Sequence, residues 1–409
     1  APDRRPIDMT RPEQGSVSAA WLVVLAGVVS ALQVSKLPPA LTALQADLGL
    51  TLVQSGFLLS MVQLAGMLTA VVVGLLADSL GLRRAMVSGL LLLAAASALG
   101  SLASSATVLL VLRAIEGMGF LWVTLPAPAL IRRLVPPGRL ARMMGVWGTY
   151  MPLGTALALL GGPLIIPLGG WPLWWDLFAL LSLLMALWLY RSVPADPPAS
   201  DQARVSLGAS LLATLAAPGP WLVALTFCVY AAQWLAVVGF LPTIYASAGL
   251  SGAVLGVLTA VAAGANAVGN VVSGRLLQAG HAPHRLLWAG FAGMAVGSSL
   301  SFLSLTESMP VLRYAAMLVF FGMGGLVPAT LFALAVRLAP GERQVAGTVG
   351  WVIQWSAVGQ FFGPPAVAWV AAQAGGWQQT PWVTVGCCAL GAGLAGLTAR
   401  HMQRLGAQA

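Results

Sequence analysis

The sequence predicts an all-α integral membrane protein in which twelve transmembrane helices form two six-helix halves. Hydrophobic residues make up 59% of the 409 residues and charged residues only 8%, which is more apolar surface than one soluble core can bury. The mean hydropathy of +0.89 agrees with this. Clusters of Pro, Gly and Arg separate the apolar runs, and each run can cross about 30 Å of hydrocarbon at about 1.5 Å per residue.

The apolar runs divide the chain into a tail (1–17), an N-terminal half (18–190), a linker (191–219), a C-terminal half (220–401) and a second tail (402–409). The linker begins with prolines and acids that are typical of a connection without regular structure. We expect its second part, 203–217, to lie along the membrane surface as an amphipathic segment. The predicted spans lie near 18–41, 52–77, 83–103, 107–131, 141–168, 172–190, 220–245, 252–278, 285–305, 310–337, 343–372 and 380–401.

The two halves repeat each other at an offset of about 200 residues, which indicates an internal duplication. Gln33 corresponds to Gln233, and Gly56 corresponds to Gly256. Six plus six spans with such a repeat are typical of transporters whose halves rock about a site near the middle of the bilayer. A transporter is therefore the functional class that the sequence favours.

The positive charges favour one orientation in the membrane. The chain has 20 Lys and Arg against 11 Asp and Glu, and all of these cations except Lys36, Arg113 and Arg313 lie in the tails or in every second loop. This distribution follows the positive-inside pattern and places both termini in the cytoplasm, as expected for a multi-pass protein of the bacterial inner membrane. A net charge of +9 arranged in this way does not predict nucleic-acid binding.

The loop after the second span has a distinctive pattern of glycines and charges. Residues 74–84 read Gly-Leu-Leu-Ala-Asp-Ser-Leu-Gly-Leu-Arg-Arg, and this pattern resembles the signature loop of the major facilitator superfamily. Residues 112–119, Leu-Arg-Ala-Ile-Glu-Gly-Met-Gly, resemble the helix-4 motif of the same family. Together with Gly145 and Trp147 they are similar to the cyanate and nitroimidazole transporter branch. The resemblance covers essentially the whole chain and implies the major facilitator fold.

The resemblance also implies that the signature loop gates the cytoplasmic side, through Gly74, Asp78, Gly81, Arg83 and Arg84. A carboxylate at the inner end of the second span can cap the N-terminus of a helix from the other half. We expect Asp78 to hold the start of the eleventh span in this way. The repeat places the uncharged Gln278 at the equivalent position, so this latch would be one-sided.

Two cations and one acid inside the membrane are the strongest candidates for chemistry, because an ionisable group there is costly unless it has a role. Lys36 in the first span can face a central cavity and attract an anion, or it can snorkel to the outer headgroups. Arg113 and Glu116 lie three apart on the fourth span, so they can simply neutralise each other, or Glu116 can accept a proton while Arg113 binds an anion. Gln33 shares a helix face with Lys36.

Neutral polar and aromatic residues extend the predicted substrate site to the seventh and eleventh spans: Tyr230, Gln233, Trp351 and Gln354. Gln33 and Gln233 are the most persuasive pair, since both of their helices would flank the central axis of the fold. The position of Arg313 stays open. Its repeat relation to Arg113 favours a cavity, whereas its shallow depth favours the surface.

These features predict a secondary active transporter that moves a small anionic or polar solute by alternating access, with Glu116 coupling transport to protons in symport. A Trp-rich apolar cavity would instead suit a proton-coupled exporter of hydrophobic drugs, and a transporter-like ligand sensor is a third alternative. The sequence has no Walker loop, no Gly-x-Ser-x-Gly turn and no nucleotide fingerprint, so we predict neither an enzyme nor a cofactor. His281 and His284 have no third metal ligand nearby in the sequence. We expect a monomer in the lipid bilayer.

Overall fold

The computed structural model describes residues 13–70, 81–196, 207–341 and 344–408, and every regular element in these ranges is helical. Two are short 3₁₀ helices, Ser304–Thr306 and Trp377–Gln379. The α-helices are α1 (Glu13–Ser35), α2 (Leu37–Leu48), α3 (Leu52–Met61), α4 (Leu64–Ala70), α5 (Leu82–Gly100), α6 (Ala106–Thr124), α7 (Ala127–Leu134), α8 (Pro137–Trp147), α9 (Tyr150–Ser192), α10 (Leu207–Ala216), α11 (Pro218–Ser247), α12 (Gly252–Gln278), α13 (Pro283–Phe302), α14 (Pro310–Gly324), α15 (Leu326–Arg337), α16 (Val345–Ala374) and α17 (Thr380–Gln408).

Eight continuous helical stretches within the described ranges are long and apolar enough to cross a membrane, or nine if the bent pair α3–α4 counts as one span. Two further helices, α13 with 20 residues and α16 with 30, are long enough to cross about 30 Å of hydrocarbon at about 1.5 Å per residue. One of the eight stretches contains two of the predicted spans, the fifth and the sixth. The twelve predicted spans therefore all correspond to helices.

Most of the fifth span and the whole of the sixth lie in α9, which is not one straight helix. Gly169 and Gly170 have non-helical dihedral angles, and Gly170 has a positive φ of 75°. The side chain of Trp174 packs against Gly161, although an uninterrupted helix would place these two residues about 20 Å apart. The chain therefore reverses at the glycine pair and forms a helical hairpin.

Five predicted spans, the first, second, fourth, fifth and tenth, are each divided between two helices, and prolines account for the breaks in the first and the fourth. Within the first span, one helix ends at Ser35 and another begins at Leu37, with prolines in the first turn of the second helix. The fourth span is broken at Pro126. Proline has no backbone N–H to continue the helical hydrogen bonds, so a break precedes it. The first break places Lys36 at the junction of α1 and α2.

The two halves pack tightly along α3, α4 and α16. A Cβ on Gly56 would come within 2.9 Å of the Pro364 carbonyl oxygen, so a larger side chain would not fit there. About two turns further on, Gln63 Nε2 donates to Gln360 Oε1 at 3.0 Å. One apolar cluster contains side chains from both halves, including Leu58, Phe240 and Ala368. By the predicted orientation this shared cluster lies toward the outer side.

Candidate functional site

The N-terminal half holds a buried cluster of charged and polar side chains, which we call the buried cluster: Gln33, Lys36, Arg113 and Glu116. All four residues are at most 1% exposed. Lys36 Nζ donates to Glu116 Oε1 at 2.6 Å, to Gln33 Oε1 at 2.8 Å and to the Ser97 hydroxyl at 2.7 Å. The three hydrogens of the ammonium group are therefore all used inside the protein.

Arg113 binds the other oxygen of the same carboxylate. One of its terminal nitrogens donates to Glu116 Oε2 at 2.6 Å and to the Gln33 carbonyl at 2.9 Å. The other terminal nitrogen donates to the Val34 carbonyl at 3.1 Å. These carbonyls are free to accept because the helix α1 ends just after them, where the last carbonyls have no partner within the helix. Glu116 thus holds one cation on each oxygen.

Helices α5 and α9 support the cluster from outside. Gln33 Nε2 donates to the Ser182 hydroxyl of α9 at 2.8 Å. Ser97 of α5 donates to the Trp175 carbonyl at 2.9 Å, and the Trp175 ring centre lies 4.7 Å from Lys36 Nζ. An ammonium group near an aromatic face is attracted by the ring quadrupole. The Lys36 side chain is therefore directed into the N-terminal half, and it reaches neither the headgroup region nor an open cavity.

The buried cluster carries two cations and one anion, so its formal charge is +1. A buried ion pair is tolerated when hydrogen bonds satisfy both partners, and it becomes strongly unfavourable when one partner is removed. Each of the three charges here has at least one opposite charge within 2.6 Å. The geometry thus ties the charge state of Lys36 to that of Glu116.

The internal repeat does not extend to these charges. It places two buried alanines, Ala236 and Ala316, opposite Lys36 and Glu116. Arg313, the counterpart of Arg113, lies in the first turn of α14 and donates to a hydroxyl and a carbonyl of the loop before it. Of the two positions predicted for Arg313, the structure has the surface one. The charged cluster belongs to the N-terminal half alone.

Gln233 and Tyr230, predicted from the seventh span, are both buried inside the C-terminal half. Gln233 Oε1 accepts the thiol hydrogen of Cys388 on α17 at 3.3 Å, while its Nε2 has no hydrogen-bond partner among the described residues. The Tyr230 hydroxyl accepts from Asn266 on α12 at 3.0 Å. Gln33 and Gln233 are therefore structurally equivalent, since each forms a hydrogen bond between the first span and the last span of its half.

Of the two residues predicted from the eleventh span, Gln354 lies where α16 meets the other half, whereas Trp351 packs within the C-terminal half. Gln354 Nε2 donates to the Met67 carbonyl of α4 at 2.9 Å. Trp351 and Trp355 are spaced so that they share one helix face, and both pack edge-to-face on Trp221 of α11, at ring-centre distances of 4.9 Å and 5.5 Å. The indole nitrogen of Trp351 is buried and has no hydrogen-bond partner among the described residues.

The predicted substrate residues therefore form two groups instead of one. Gln33, Lys36, Arg113 and Glu116 come together in the buried cluster. Gln354 contacts the other half, Trp351 packs on Trp221 within its own half, and neither carries a charge. An aromatic surface of this kind binds apolar rings, and its unused indole N–H can fix a polar group of a ligand.

Gly74 and Asp78 of the signature loop lie outside the described residues, so the predicted latch between Asp78 and the eleventh span stays a prediction. The described end of the loop contacts the linker. Gly81, with a positive φ of 93°, packs against the Asp196 side chain. The backbone N–H groups of Arg83 and Arg84 both donate to the Asp196 carboxylate at 3.0 Å. Asp196 thus caps the N-terminus of α5.

Asp196 also binds Arg133 at 2.9 Å, and these contacts set its protonation. Partial burial raises the pKa of Asp196, but the backbone donors of Arg83 and Arg84 and the Arg133 guanidinium outweigh that effect. The pKa therefore lies below its ordinary value of 3.8. Because the folded pKa is depressed, the stabilisation by Asp196 is present above the unfolded pKa and is lost as the pH falls through the folded pKa.

We expect Asp196→Asn to lower the free energy of unfolding by about 1 kcal/mol at neutral pH, since it loses the charged cap of α5 and the ion pair. The difference from the unchanged protein should vanish in acid, where Asp196 is protonated. Thermal unfolding in detergent between neutral pH and acid, followed by tryptophan fluorescence, measures both effects. Glu307→Gln is the matched control, because Glu307 is exposed and its side chain makes no contact of this kind with another described residue. A constant difference at all pH values would contradict this assignment.

Sequence reasoning missed Asp196, Ser97 and Ser182. Asp196 was expected to belong to a linker without regular structure, yet its side chain is 5% exposed and holds the loop. A signal was present in the sequence, because an acid in the linker can pair with the arginines of the loops on the same side of the membrane. Ser97 and Ser182 lie in apolar spans and are not distinguishable by sequence from other serines there. Their role depends on how α5 and α9 pack around Lys36.

Comparison with known families gives a consistent result. The family model described as Major Facilitator Superfamily matches residues 23–348 and 222–404. Among solved structures, a bacterial homolog of the human lysosomal transporter Spinster, in an inward-facing and occupied conformation, has a TM-score of 0.80 at 16% identity and covers 96% of this chain and 98% of that one. A D-xylose–proton symporter has a TM-score of 0.75 at 16% identity, with 93% and 97% covered. These likenesses support the fold.

Curated relatives match parts of the chain. A multidrug resistance protein B homolog of Mycobacterium tuberculosis is 31% identical over 209 residues, which are 49% of this chain and 37% of that protein. The puromycin resistance protein pur8 of Streptomyces alboniger is 31% identical over 198 residues, 48% of this chain and 38% of that protein. The chain thus spans less than two fifths of the length of these relatives. The narrower resemblance to the cyanate and nitroimidazole branch stays a prediction.

Proposed function

The chain belongs to the Major Facilitator Superfamily, and from that premise we propose that it is a secondary active transporter that exports hydrophobic organic compounds in exchange for protons. As a family member with apolar helices it is a multi-pass integral membrane protein. We place it in the bacterial inner membrane with both termini in the cytoplasm, as the distribution of Lys and Arg indicates.

One observation carries this proposal: the charges that could attract an anion are neutralised inside the N-terminal half, and the described contacts between the halves are uncharged. Lys36 and Arg113 both bind Glu116. Phe57 of α3 and Phe361 of α16 meet between the halves with ring centres 6.5 Å apart. Trp351 and Trp355 are half-buried on the same helix α16, whose Gln354 contacts α4. Transporters of this architecture bind substrate between their halves near the bilayer midplane, and aromatic rings there favour apolar cargo.

Two relatives support the same class of substrate. Both the multidrug resistance protein B homolog and the puromycin resistance protein carry drug resistance in their names. The tight packing of α3 and α4 on α16, with the apolar cluster that both halves share, supports an arrangement closed toward the outer side. Such an arrangement suits uptake of cargo from the cytoplasm or the inner leaflet.

The buried cluster supports a proton-coupling role that refines the expectation for Glu116. Protonating Glu116 would leave two buried cations without an anion, which is costly. Releasing a proton from Lys36 would leave a neutral Arg113–Glu116 pair. We therefore place the transported proton on the Lys36–Glu116 pair, with Lys36 as the group that releases it.

A small anion is the second candidate substrate, as the sequence suggested, because the buried cluster keeps one net positive charge. An anion would have to approach that charge when the halves rearrange. The Lys36–Glu116 pair would then bind a proton together with the anion, and both would cross the membrane in the same direction, which is symport.

Transport by purified protein in proteoliposomes distinguishes the two candidates. We expect ethidium, a lipophilic cation, to move against its gradient when an inward proton gradient is imposed, and we expect nitrate flux to equal that of protein-free vesicles. Trp351→Ala should lower ethidium transport, because it removes one of the two indole rings of α16 that pack on Trp221. Nitrate transport driven by the pH gradient, without ethidium transport, would replace the first proposal by the second. Ligand binding without flux of either compound would favour a sensor.

A further inference from the structure

The C-terminal half has a cleft at the end where α12, α15 and α17 finish and α13 begins. Its volume is about 540 Å³. Four polar or basic side chains line it, and we call it the basic cleft: His281, His284, Arg337 and Gln403. The remaining side chains of its wall are apolar: Leu277, Ala282, Pro283, Ala333, Ala399 and Met402.

Positive charge predominates at this end of the C-terminal half. Five arginines and all three histidines of the chain lie in the described segments that reach it: Arg275, Arg285, Arg337, Arg400, Arg404, His281, His284 and His401. The only acids from residue 218 onward are Glu342 and Glu307, and Glu307 lies at the opposite end, between α13 and α14. The surroundings of the cleft therefore favour an anion.

Arg337 has no partner among the described residues that would neutralise it. It is the last residue of α15 and is exposed. Within the described residues its guanidinium makes no hydrogen bond and no ion pair. A guanidinium group that is free in this way can bind two oxygens of a phosphate at once.

The cleft lies at the depth of a membrane–water interface. Trp288 follows His284 by one turn, and their rings contact each other with centres 5.2 Å apart. Trp288 is 43% exposed, and its indole nitrogen donates to the Ala392 carbonyl of α17. Exposed tryptophans of membrane helices are enriched at the headgroup level. By the predicted orientation this interface is the cytoplasmic one.

We propose that the basic cleft binds an anionic phospholipid of the cytoplasmic leaflet, with the headgroup phosphate on Arg337 and the start of an acyl chain along the apolar wall. A basic pocket between membrane helices on this side is suited to acidic headgroups. The apolar wall, which a soluble anion would leave exposed to water, favours a lipid over free phosphate. This site lies apart from the aromatic face of α16 and does not depend on the substrate proposed above.

The proposal is tested on the full chain in detergent by native mass spectrometry, with phosphatidylglycerol and phosphatidylcholine of identical acyl chains. We expect the protein to bind phosphatidylglycerol more tightly than phosphatidylcholine. Arg337→Gln should weaken phosphatidylglycerol binding about fivefold, in keeping with the contribution of one basic residue near an acidic lipid surface. Arg191→Gln is the matched control, since it removes an exposed arginine at the end of α9 in the other half, and it should leave the affinity unchanged.

Three results would overturn the proposal. Equal affinity for the two lipids would show that the cleft does not recognise the headgroup charge. An equal loss in Arg191→Gln and Arg337→Gln would show that the attraction is spread over the whole surface. Displacement of the lipid by millimolar inorganic phosphate would assign the cleft to a free anion. Thermal stability of the two variants without lipid should match that of the unchanged protein, so a loss of binding is not a loss of folding.

Discussion

Replacing Glu116 with glutamine is expected to destabilise the protein by about 3–5 kcal/mol, the cost of leaving buried charges without their partner. Both oxygens of Glu116 bind a cation at 2.6 Å. In Glu116→Gln one of these positions becomes an amide NH₂ group, which faces a cation and cannot accept its hydrogen bond. Two uncompensated cations then remain in a site with at most 1% exposure. Thermal unfolding in detergent measures the loss.

Lys36→Met is the matched control for this prediction, because it removes a charge from the same cluster and leaves a neutral pair. Arg113 and Glu116 keep their ion pair, and methionine fills the space of the lysine stem. Gln33 Oε1 and Glu116 Oε1 each lose a donor, but Glu116 keeps the Arg113 guanidinium on Oε2. The main remaining cost is the unsatisfied Gln33 Oε1, roughly 1–3 kcal/mol. We therefore expect Lys36→Met to be clearly more stable than Glu116→Gln. Equal destabilisation of the two variants would contradict the balance of charges described for the cluster.

The same control tests proton coupling. A methionine cannot release a proton, so Lys36→Met should retain binding of ethidium while its transport no longer responds to an imposed pH gradient. Fluorescence titration gives the binding, and proteoliposome flux with and without the gradient gives the response. Gradient-driven flux that survives in Lys36→Met would remove Lys36 from the coupling mechanism.

The sequence predicted the architecture well because the signals are local and repeated. Apolar runs and their punctuation define the spans, and the family match agrees with the fold that they imply. The spacing of Arg113 and Glu116 also predicted their contact, since residues three apart share a helix face. Even the break beside Lys36 follows from the prolines after it.

The partner of Lys36 could not be predicted in the same way. Its contact with Glu116 joins residues 36 and 116 across two helices, and it depends on the rotation of α1 against α6. Periodicity places a residue on a face but does not say which helix that face meets. From the sequence, Lys36 could face a cavity or reach the lipid headgroups. In the structure, four helices pack around it and it forms an internal ion pair instead. Asp196 shows the same limit, since its partners lie far away in the sequence.

A disulfide between Gly66→Cys and Ala357→Cys is expected to stop transport. These positions lie on α4 and α16, one in each half. A Cβ on Gly66 would lie 3.0 Å from the Ala357 Cβ, slightly closer than the about 3.5–4.5 Å of a disulfide, so a small shift of either helix allows the bond. If the halves must separate here during alternating access, the bond holds them closed. Ethidium flux should fall to the level of protein-free vesicles after oxidation and return after reduction with dithiothreitol.

The two single-cysteine variants are the controls for this experiment, and each should keep its flux after oxidation. They are needed because the chain has three cysteines of its own, Cys228, Cys387 and Cys388, and all three lie in the C-terminal half. Loss of flux in a single variant would point to pairing with one of these instead. Undiminished flux through a fully oxidised double variant would show that α4 and α16 stay together throughout transport. The movement between the halves would then have to occur about another pair of helices, for which α9 and α12 are the candidates, since Gly256 packs against the Leu160 carbonyl.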